Sequence, residues 1–168
     1  MKASLIAVAV ALSLSGCAGY RLGEVKPAAL KEIHTISVLM FKNNTYQPRI
    51  EALVTSTIIK QLQQDGTYTL TTSDKADAVL DGVVISVGRN PVRSVSGNVL
   101  ATSEFNLGIT VGYTLRRKDG TAVAGPGSIT GGTSFFVRGD VNSEEGQALP
   151  LAAEDLAVRL VSQLSEGW

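Results

Sequence analysis

The stretch FNLGITVGYTL, residues 105–115, alternates apolar residues with small or polar ones without a break. Side chains of a β-strand point to opposite faces with a period of two, so this alternation predicts a strand with one buried and one open face. The open face would carry Gly108 and Gly112, which leave room for another molecule to approach the backbone closely. The stretch therefore predicts a sheet that is covered on one side only.

Further strand patterns lie on both sides of this segment. KDGT at 118–121 predicts a turn, after which a strand returns from about Ala122 to Val137. The glycines at 125, 127, 131 and 132 predict that this returning strand is bulged or lies at an edge. Upstream, β-branched and apolar runs predict strands at 33–41, 67–72 and 77–88.

Two stretches carry the spacing of amphipathic helices. The first covers residues 48–64 and ends before Gly66, which suits a left-handed cap. The second runs from about Leu149 to Ser165, with Pro150 in its first turn. The order β-α-β-β-β-β-α predicts an α+β fold with both helices on one face of a mostly antiparallel sheet of four to five strands.

Composition indicates a globular domain and argues against a nucleic-acid binder, a metal protein and an enzyme. Lys plus Arg equals Asp plus Glu at 15 each, and aromatic residues make up 5%, which does not suit a nucleic-acid binder. His34 is the only histidine and Cys17 the only cysteine, so a soft metal site lacks ligands. The glycine-rich residues 125–132 lack the Lys-Ser/Thr ending of a phosphate-binding loop. We expect no enzyme, no metal and no cofactor.

The N-terminus has the layout of a signal peptide. Lys2 precedes an apolar run that ends in LSGC at 14–17, which resembles a bacterial lipobox. The run is shorter than the roughly 20 residues that span a bilayer. The resemblance implies a signal peptide over 1–16 and acylation of Cys17. It leaves a lipidated tether over 17–32 and a single domain over 33–168.

Several short motifs, in their order along the chain, resemble the LptE family of lipopolysaccharide-assembly lipoproteins. The similarity covers nearly the whole chain after Cys17, and the C-terminal segment is its most specific part. The motifs are GYRLG at 19–23, ISVLMFKN at 36–43, ADAVLDG at 76–82, EFNL at 104–107, SFF at 134–136, and ALPLAAEDLA at 148–157 with the ending EGW at 166–168.

The resemblance implies two helices on a mixed sheet and a role at the outer membrane. Proteins of this family plug and help assemble a large outer-membrane β-barrel of the LptD type, and they contact lipopolysaccharide during its export. Ala18, directly after the cysteine, resembles the residue found at this position in lipoproteins that are sorted to the outer membrane. The implied partners are the barrel, lipopolysaccharide and, through the lipid anchor, the periplasmic face of the outer membrane.

Three arginines are the candidate contacts for lipopolysaccharide. If the strands before and after residues 90–102 are antiparallel, Arg89, Arg93 and Arg138 gather at one end of the sheet, and the basic residues 116–118 gather at the other. Guanidinium groups suit phosphate through bidentate hydrogen bonds. Plain surface solubility is the competing interpretation of these charges.

A second functional class stays open at this point. Similar α+β folds occur in periplasm-facing scaffold lipoproteins, for example activators of a cell-wall synthase. The protein partner that co-purifies with the chain would discriminate the two classes.

Overall fold

The computed structural model describes residues 26–95, 98–137 and 140–167, without the side chains of 94, 95 and 98–103. These residues form an α+β fold, as predicted. The elements are β1 (Thr35–Val38), β2 (Lys42–Asn43), α1 (Ile50–Asp65), β3 (Thr69–Leu70), β4 (Ala78–Val95), β5 (Asn98–Arg117), β6 (Ala122–Phe136) and α2 (Val141–Ser165), with a short 3-10 helix at Ala28–Leu30.

The strands form one mixed sheet of six strands. Its order is β3-β1-β4-β5-β6, and β2 pairs with β4 beside this path. β1 is parallel to β3 and β4, and β2 is parallel to β4, whereas β4–β5 and β5–β6 are antiparallel. The sequence predicts a mostly antiparallel sheet of four to five strands. The sheet instead has six strands, and three of its strand pairs are parallel. The physical reason is α1, since a crossover helix returns the chain in its original direction.

The hairpin of β4 and β5 is longer than predicted. Pairing continues past Pro91, which faces Phe105, to Val95, which faces Asn98. The loop expected at 90–102 is therefore mostly strand. We call the part from Arg89 to Phe105 the distal hairpin.

The two helices differ in how closely they follow the sequence prediction. α1 ends as expected, because Gly66 adopts φ 75° and donates its N–H to the carbonyl of Leu62 at 3.2 Å. α2 begins at Val141 rather than near Leu149, and the carboxylate of its N-cap Asp140 accepts the Ser143 N–H at 3.0 Å. Pro150 consequently lies inside the helix and not in its first turn.

Both helices cover the same face of the sheet, which we call the inner face. The core between the layers is made of aliphatic side chains, and burying them supplies the main driving force for folding. The fully buried members include Ile36, Val54, Ile58, Leu62, Leu80, Ile109, Val111, Leu115, Leu156 and Leu160.

The start of the described chain also packs against this domain. Leu30 and Ile33 are buried, and the Lys26 ammonium lies 4.7 Å from the centre of the Tyr68 ring. The Tyr68 hydroxyl in turn donates to the carbonyl of Leu164 at 2.6 Å. Leu30 belongs to the segment predicted as tether, so the packed part of the chain begins before residue 33.

Candidate functional site

No described helix lies over the second face of the sheet, which we call the open face. Cross-strand neighbours share a face, so the register assigns its residues. The middle of this face on β5 and β6 holds small, uncharged residues: Asn106, Gly108, Thr110 and Gly112 on β5, and Ser128, Thr130, Gly132 and Ser134 on β6. The alternation in residues 105–115 predicts this face correctly.

Hydroxyl and amide groups form lateral contacts across the open face. The hydroxyl oxygens of Thr110 and Thr130 lie 2.9 Å apart, and the Ser134 hydroxyl donates to the side-chain oxygen of Asn106 at 2.6 Å. Such groups retain further hydrogen-bonding capacity, because each oxygen has two lone pairs. The face can therefore exchange hydrogen bonds with another polar surface.

Three glycines lie side by side across the open face. Gly88 faces Gly108, and Gly108 faces Gly132. An added β-carbon would meet no atom within 4 Å at Gly88, and at Gly108 the nearest atom is 3.9 Å away. At Gly112 it would lie 3.2 Å from the Ile85 side chain. Gly88 and Gly108 are therefore not required by packing inside this chain.

A mainly apolar cleft, whose lining also includes Lys42 and Asp81, opens on the same face near β2. Its volume is about 370 Å³, and its walls include Leu39, Met40, Val83 and Thr114. The Met40 side chain is 64% exposed. The cleft offers flexible, polarizable apolar surface next to the uncharged centre of the face.

Arg89 and Arg93, predicted to bind lipopolysaccharide, both lie on the distal hairpin. Arg89 faces Leu107 and belongs to the inner face, whereas Arg93 faces Glu104 and belongs to the open face. The two arginines thus lie at one end of the sheet, as predicted from strand order, but on opposite faces.

Arg93 has an acidic and an aromatic neighbour. Its Nε lies 3.7 Å from the Glu104 carboxylate, and the Arg93 side chain is 71% exposed against 14% for Glu104. On the other side of Glu104 is Phe136, which is 51% exposed. The row from β4 to β6 thus combines an exposed guanidinium with an exposed ring.

Arg89 is held by contacts from two elements. Its guanidinium pairs with Glu145 of α2 and lies 5.7 Å from the centre of the Phe105 ring. Phe105 stacks on Phe135 with ring centres 5.7 Å apart. Arg89 therefore joins the start of α2 to the distal hairpin.

The remaining predicted residues have different outcomes. Cys17 and Arg138 lie outside the described residues. At the other end of the sheet, Arg116 pairs with Asp81 at 3.2 Å and Arg117 with Glu32 at 3.0 Å. Both arginines are thus matched by carboxylates.

Several aspartates have altered titration because of hydrogen bonds. The backbone N–H groups of Thr35 and His34, with the Thr35 hydroxyl, hold the pKa of Asp77 below its usual value. Burial acts to raise the pKa of Asp155, but hydrogen bonds from Arg159 and the Gly132 N–H outweigh it and lower the value. These interactions join β1 to the residue just before β4, and α2 to β6.

Two further properties bear on the functional class. Among the described residues, no group of three or more His, Cys, Asp or Glu side chains could hold a metal ion. Within the same part of the chain, no helix is both long and apolar enough to cross a membrane. The most distinctive feature of the described surface is the open face, with its small, uncharged residues on β5 and β6.

Comparison with protein families identifies the relationship. The family model described as "LptE: Lipopolysaccharide-assembly" matches residues 33–164. The chain therefore belongs to the LptE family of lipopolysaccharide-assembly proteins, as the sequence motifs predict. A comparison with curated protein sequences finds no significant match.

Solved structures share the fold at low sequence identity. A minor lipoprotein from Acinetobacter baumannii is 20% identical, with 80% of this chain and 92% of that chain covered and a TM-score of 0.53. The PelC dodecamer from Paraburkholderia phytofirmans is 19% identical, with coverages of 85% and 95% and a TM-score of 0.51. Lipoprotein B from Nitrosomonas europaea is 12% identical, with 88% of each chain covered and a TM-score of 0.51. At these identities the similarity establishes the fold.

Sequence reasoning missed three residues that shape the distal hairpin. Glu104 and Phe136 stand out in the sequence only as parts of the EFNL and SFF motifs. Glu145 lies before the helix start that the sequence predicts, near Leu149. A signal existed for Glu145, because Asp140 is a preferred N-cap residue and Glu144 would then lie in the first turn of the helix.

Proposed function

We propose that this chain is a lipid-anchored lipopolysaccharide-assembly protein that plugs and helps assemble an outer-membrane β-barrel of the LptD type. Its membership of the LptE family over residues 33–164 carries this proposal. Acylation of Cys17 would hold it at the periplasmic face of the outer membrane. Two or more acyl chains give stable anchoring, whereas one gives only marginal binding.

The chemistry of the open face supports contact with the inside of a barrel. The lumen of an outer-membrane barrel is polar, in contrast to its lipid-facing surface. A plug therefore needs a surface of hydrogen-bonding groups without a dominant charge. Thr110, Thr130 and Asn106 provide such groups, and Gly88 and Gly108 allow the barrel wall to come close.

Contact with lipopolysaccharide is the second part of the proposal. Arg93 of the distal hairpin and Phe136 of β6 lie on the open face, on either side of Glu104, and offer a cation near an apolar ring. Phosphate groups accept hydrogen bonds from guanidinium, and acyl chains pack on exposed rings. Arg89 and Arg138 remain candidates from the sequence. A phosphate at Arg93 would compete with Glu104, and one at Arg89 would compete with Glu145.

Detergent extraction tests the function directly. The full-length chain is expected to be recovered from outer membranes in a stable 1:1 complex with a large β-strand-rich barrel. Substitution of Cys17 by Ser should shift the protein away from the membrane fraction. Recovery with a cell-wall synthase and without a barrel would instead support the scaffold alternative and contradict the proposal.

A further inference from the structure

The first two turns of α2 are much less buried than the rest of that helix. None of the side chains in residues 141–147 is buried, whereas burial begins at Ala148 and Leu149. Segments with few buried contacts open at lower free energy than the core of a domain. Residues 141–147, which we call the α2 arm, therefore depend on the helix backbone and on a few polar contacts.

The backbone of the helix is weakest where the arm ends. Pro150 has no N–H and cannot donate to the carbonyl of Gly146, four residues earlier. Gly146 itself is a poor helix residue, and a β-carbon there would meet no atom within 4 Å. Packing therefore does not require a glycine at position 146. This glycine nevertheless weakens the helix close to the point where Pro150 removes a hydrogen bond.

One ion pair connects the arm to the sheet. The Glu145 carboxylate of the arm pairs with the guanidinium of Arg89 on β4, and the two side chains are 19% and 40% exposed. At its other end the arm is capped locally, since the Asp140 carboxylate accepts the Ser143 N–H and the Ser143 hydroxyl. The cap stabilises the helical turn but does not attach it to the sheet.

We infer that the α2 arm is a hinged segment, bending between Gly146 and Pro150, which the Glu145–Arg89 ion pair latches onto the distal hairpin. An anion bound to Arg89 replaces Glu145 and releases the arm. The identity of that anion as a lipopolysaccharide phosphate rests on the proposed function, whereas the hinge and the latch do not.

The release follows from competition for one guanidinium. A ligand shifts a conformational equilibrium only if it binds one state better than the other. Arg89 is occupied by Glu145 in the latched state and accessible to an anion in the released state, so an anion favours release. Phosphate competes well, since its charge-assisted hydrogen bonds to guanidinium are strong.

Amide hydrogen exchange of the full-length protein in detergent tests the hinge and the latch. Amides 144–149 should exchange at least about tenfold faster than amides 153–160 of the same helix. Glu145→Gln should accelerate exchange at 144–149 by about twofold to fivefold, the range for a partly exposed ion pair. Arg89→Gln removes the other partner of the ion pair and should accelerate exchange at 144–149 by a similar factor.

Two matched variants complete the design. Gly146→Ala should slow exchange at 144–149 by about fivefold, because alanine stabilises a helix and has room at this position. Glu154→Gln, whose carboxylate lies 3.9 Å from Lys60 and beyond Pro150, should leave those amides unchanged. Equal protection on both sides of Pro150, or no response to Glu145→Gln and Arg89→Gln, overturns the inference.

Purified lipopolysaccharide and a dephosphorylated preparation test the release. Binding of the phosphorylated form should accelerate exchange at 144–149 in the parent protein, and it should add little in Glu145→Gln, where the latch is already broken. Binding without acceleration overturns the release by an anion. If lipopolysaccharide does not bind at all, the lipid contact of the proposed function fails, and the variants alone decide on the hinge and the latch.

Discussion

Gly131 of β6 lies directly beneath the backbone of Leu156 in α2. A β-carbon on Gly131 would stand 2.2 Å from the amide nitrogen of Leu156 and 2.3 Å from its Cα. Real β-carbons do not approach other atoms so closely, so α2 can cover the sheet only because residue 131 has no side chain. This contact sets how closely the helix layer packs on β6.

Gly131→Ala should therefore destabilise the domain strongly. The clash is with backbone, which cannot rotate away as a side chain can, so we expect a loss of about 3 kcal/mol or more in the free energy of unfolding. Urea unfolding measures it. Gly88→Ala is the control, since that β-carbon meets nothing within 4 Å. Similar stability of the two variants would contradict the close approach of α2.

A buried hydrogen bond between α1 and the segment after β1 gives a second prediction. The Thr55 hydroxyl accepts the N–H of Phe41 at 3.0 Å and donates to the carbonyl of Glu51 at 2.7 Å. Thr55→Val keeps the shape but leaves the buried N–H of Phe41 unpaired, which should cost about 1–3 kcal/mol. Thr55→Ser keeps the hydroxyl and should cost less. A reversed order of the two variants in urea unfolding would rule out this role for Thr55.

The lowered pKa of Asp77 predicts a pH dependence. The N–H groups of Thr35 and His34 favour the ionised carboxylate in the folded state. The resulting stabilisation is complete only well above the ordinary aspartate pKa of about 3.9, and it is lost as the pH falls through that value and then through the lower folded one. The stability difference between the parent and Asp77→Asn should therefore shrink between about pH 5 and pH 3.

Urea midpoints at several pH values measure this difference. Thr55→Val is a suitable reference, because its destabilisation involves no titrating group. If the stability difference between the parent and Asp77→Asn stays constant down to pH 3, the charge of the Asp77 carboxylate contributes nothing to the stability of the fold.

Much of this fold follows from local sequence, and the parts that do not have identifiable causes. The alternation in residues 105–115 predicts β5 and its two faces. Residues 90–102 are rich in polar and turn-forming types, yet 90–95 and 98–102 form strands because the two arms of the hairpin pair with each other. Propensity alone does not capture such pairing.

The candidate site was less predictable than the fold. Sequence order correctly brings Arg89 and Arg93 to one end of the sheet, but their faces depend on the register and on the irregularity between Pro91 and Arg93. One such shift moves a side chain to the opposite face. Their acidic partners Glu145 and Glu104 come from other elements and are visible only in three dimensions.

Arg93→Gln should weaken lipopolysaccharide binding by the full-length protein by about tenfold, the value of one charge-assisted hydrogen bond. The loss should be smaller at high salt, because exposed charges are screened. Arg116→Gln, at the opposite end of the sheet and paired with Asp81, is the matched control. Equal affinities of the two variants would remove Arg93 from the proposed contact.

Gly108→Trp tests whether the open face seats this protein inside a barrel. An added β-carbon meets nothing closer than 3.9 Å, and both cross-strand neighbours, Gly88 and Gly132, are glycines, so the large side chain would project from the open face. Ala52→Trp on the exposed side of α1 is the control. In co-purification from detergent-extracted outer membranes, the parent and Ala52→Trp should bring down the barrel in equal amounts, and Gly108→Trp should lose it while keeping its melting temperature. Undiminished recovery of the barrel with Gly108→Trp would show that the open face does not dock on the barrel.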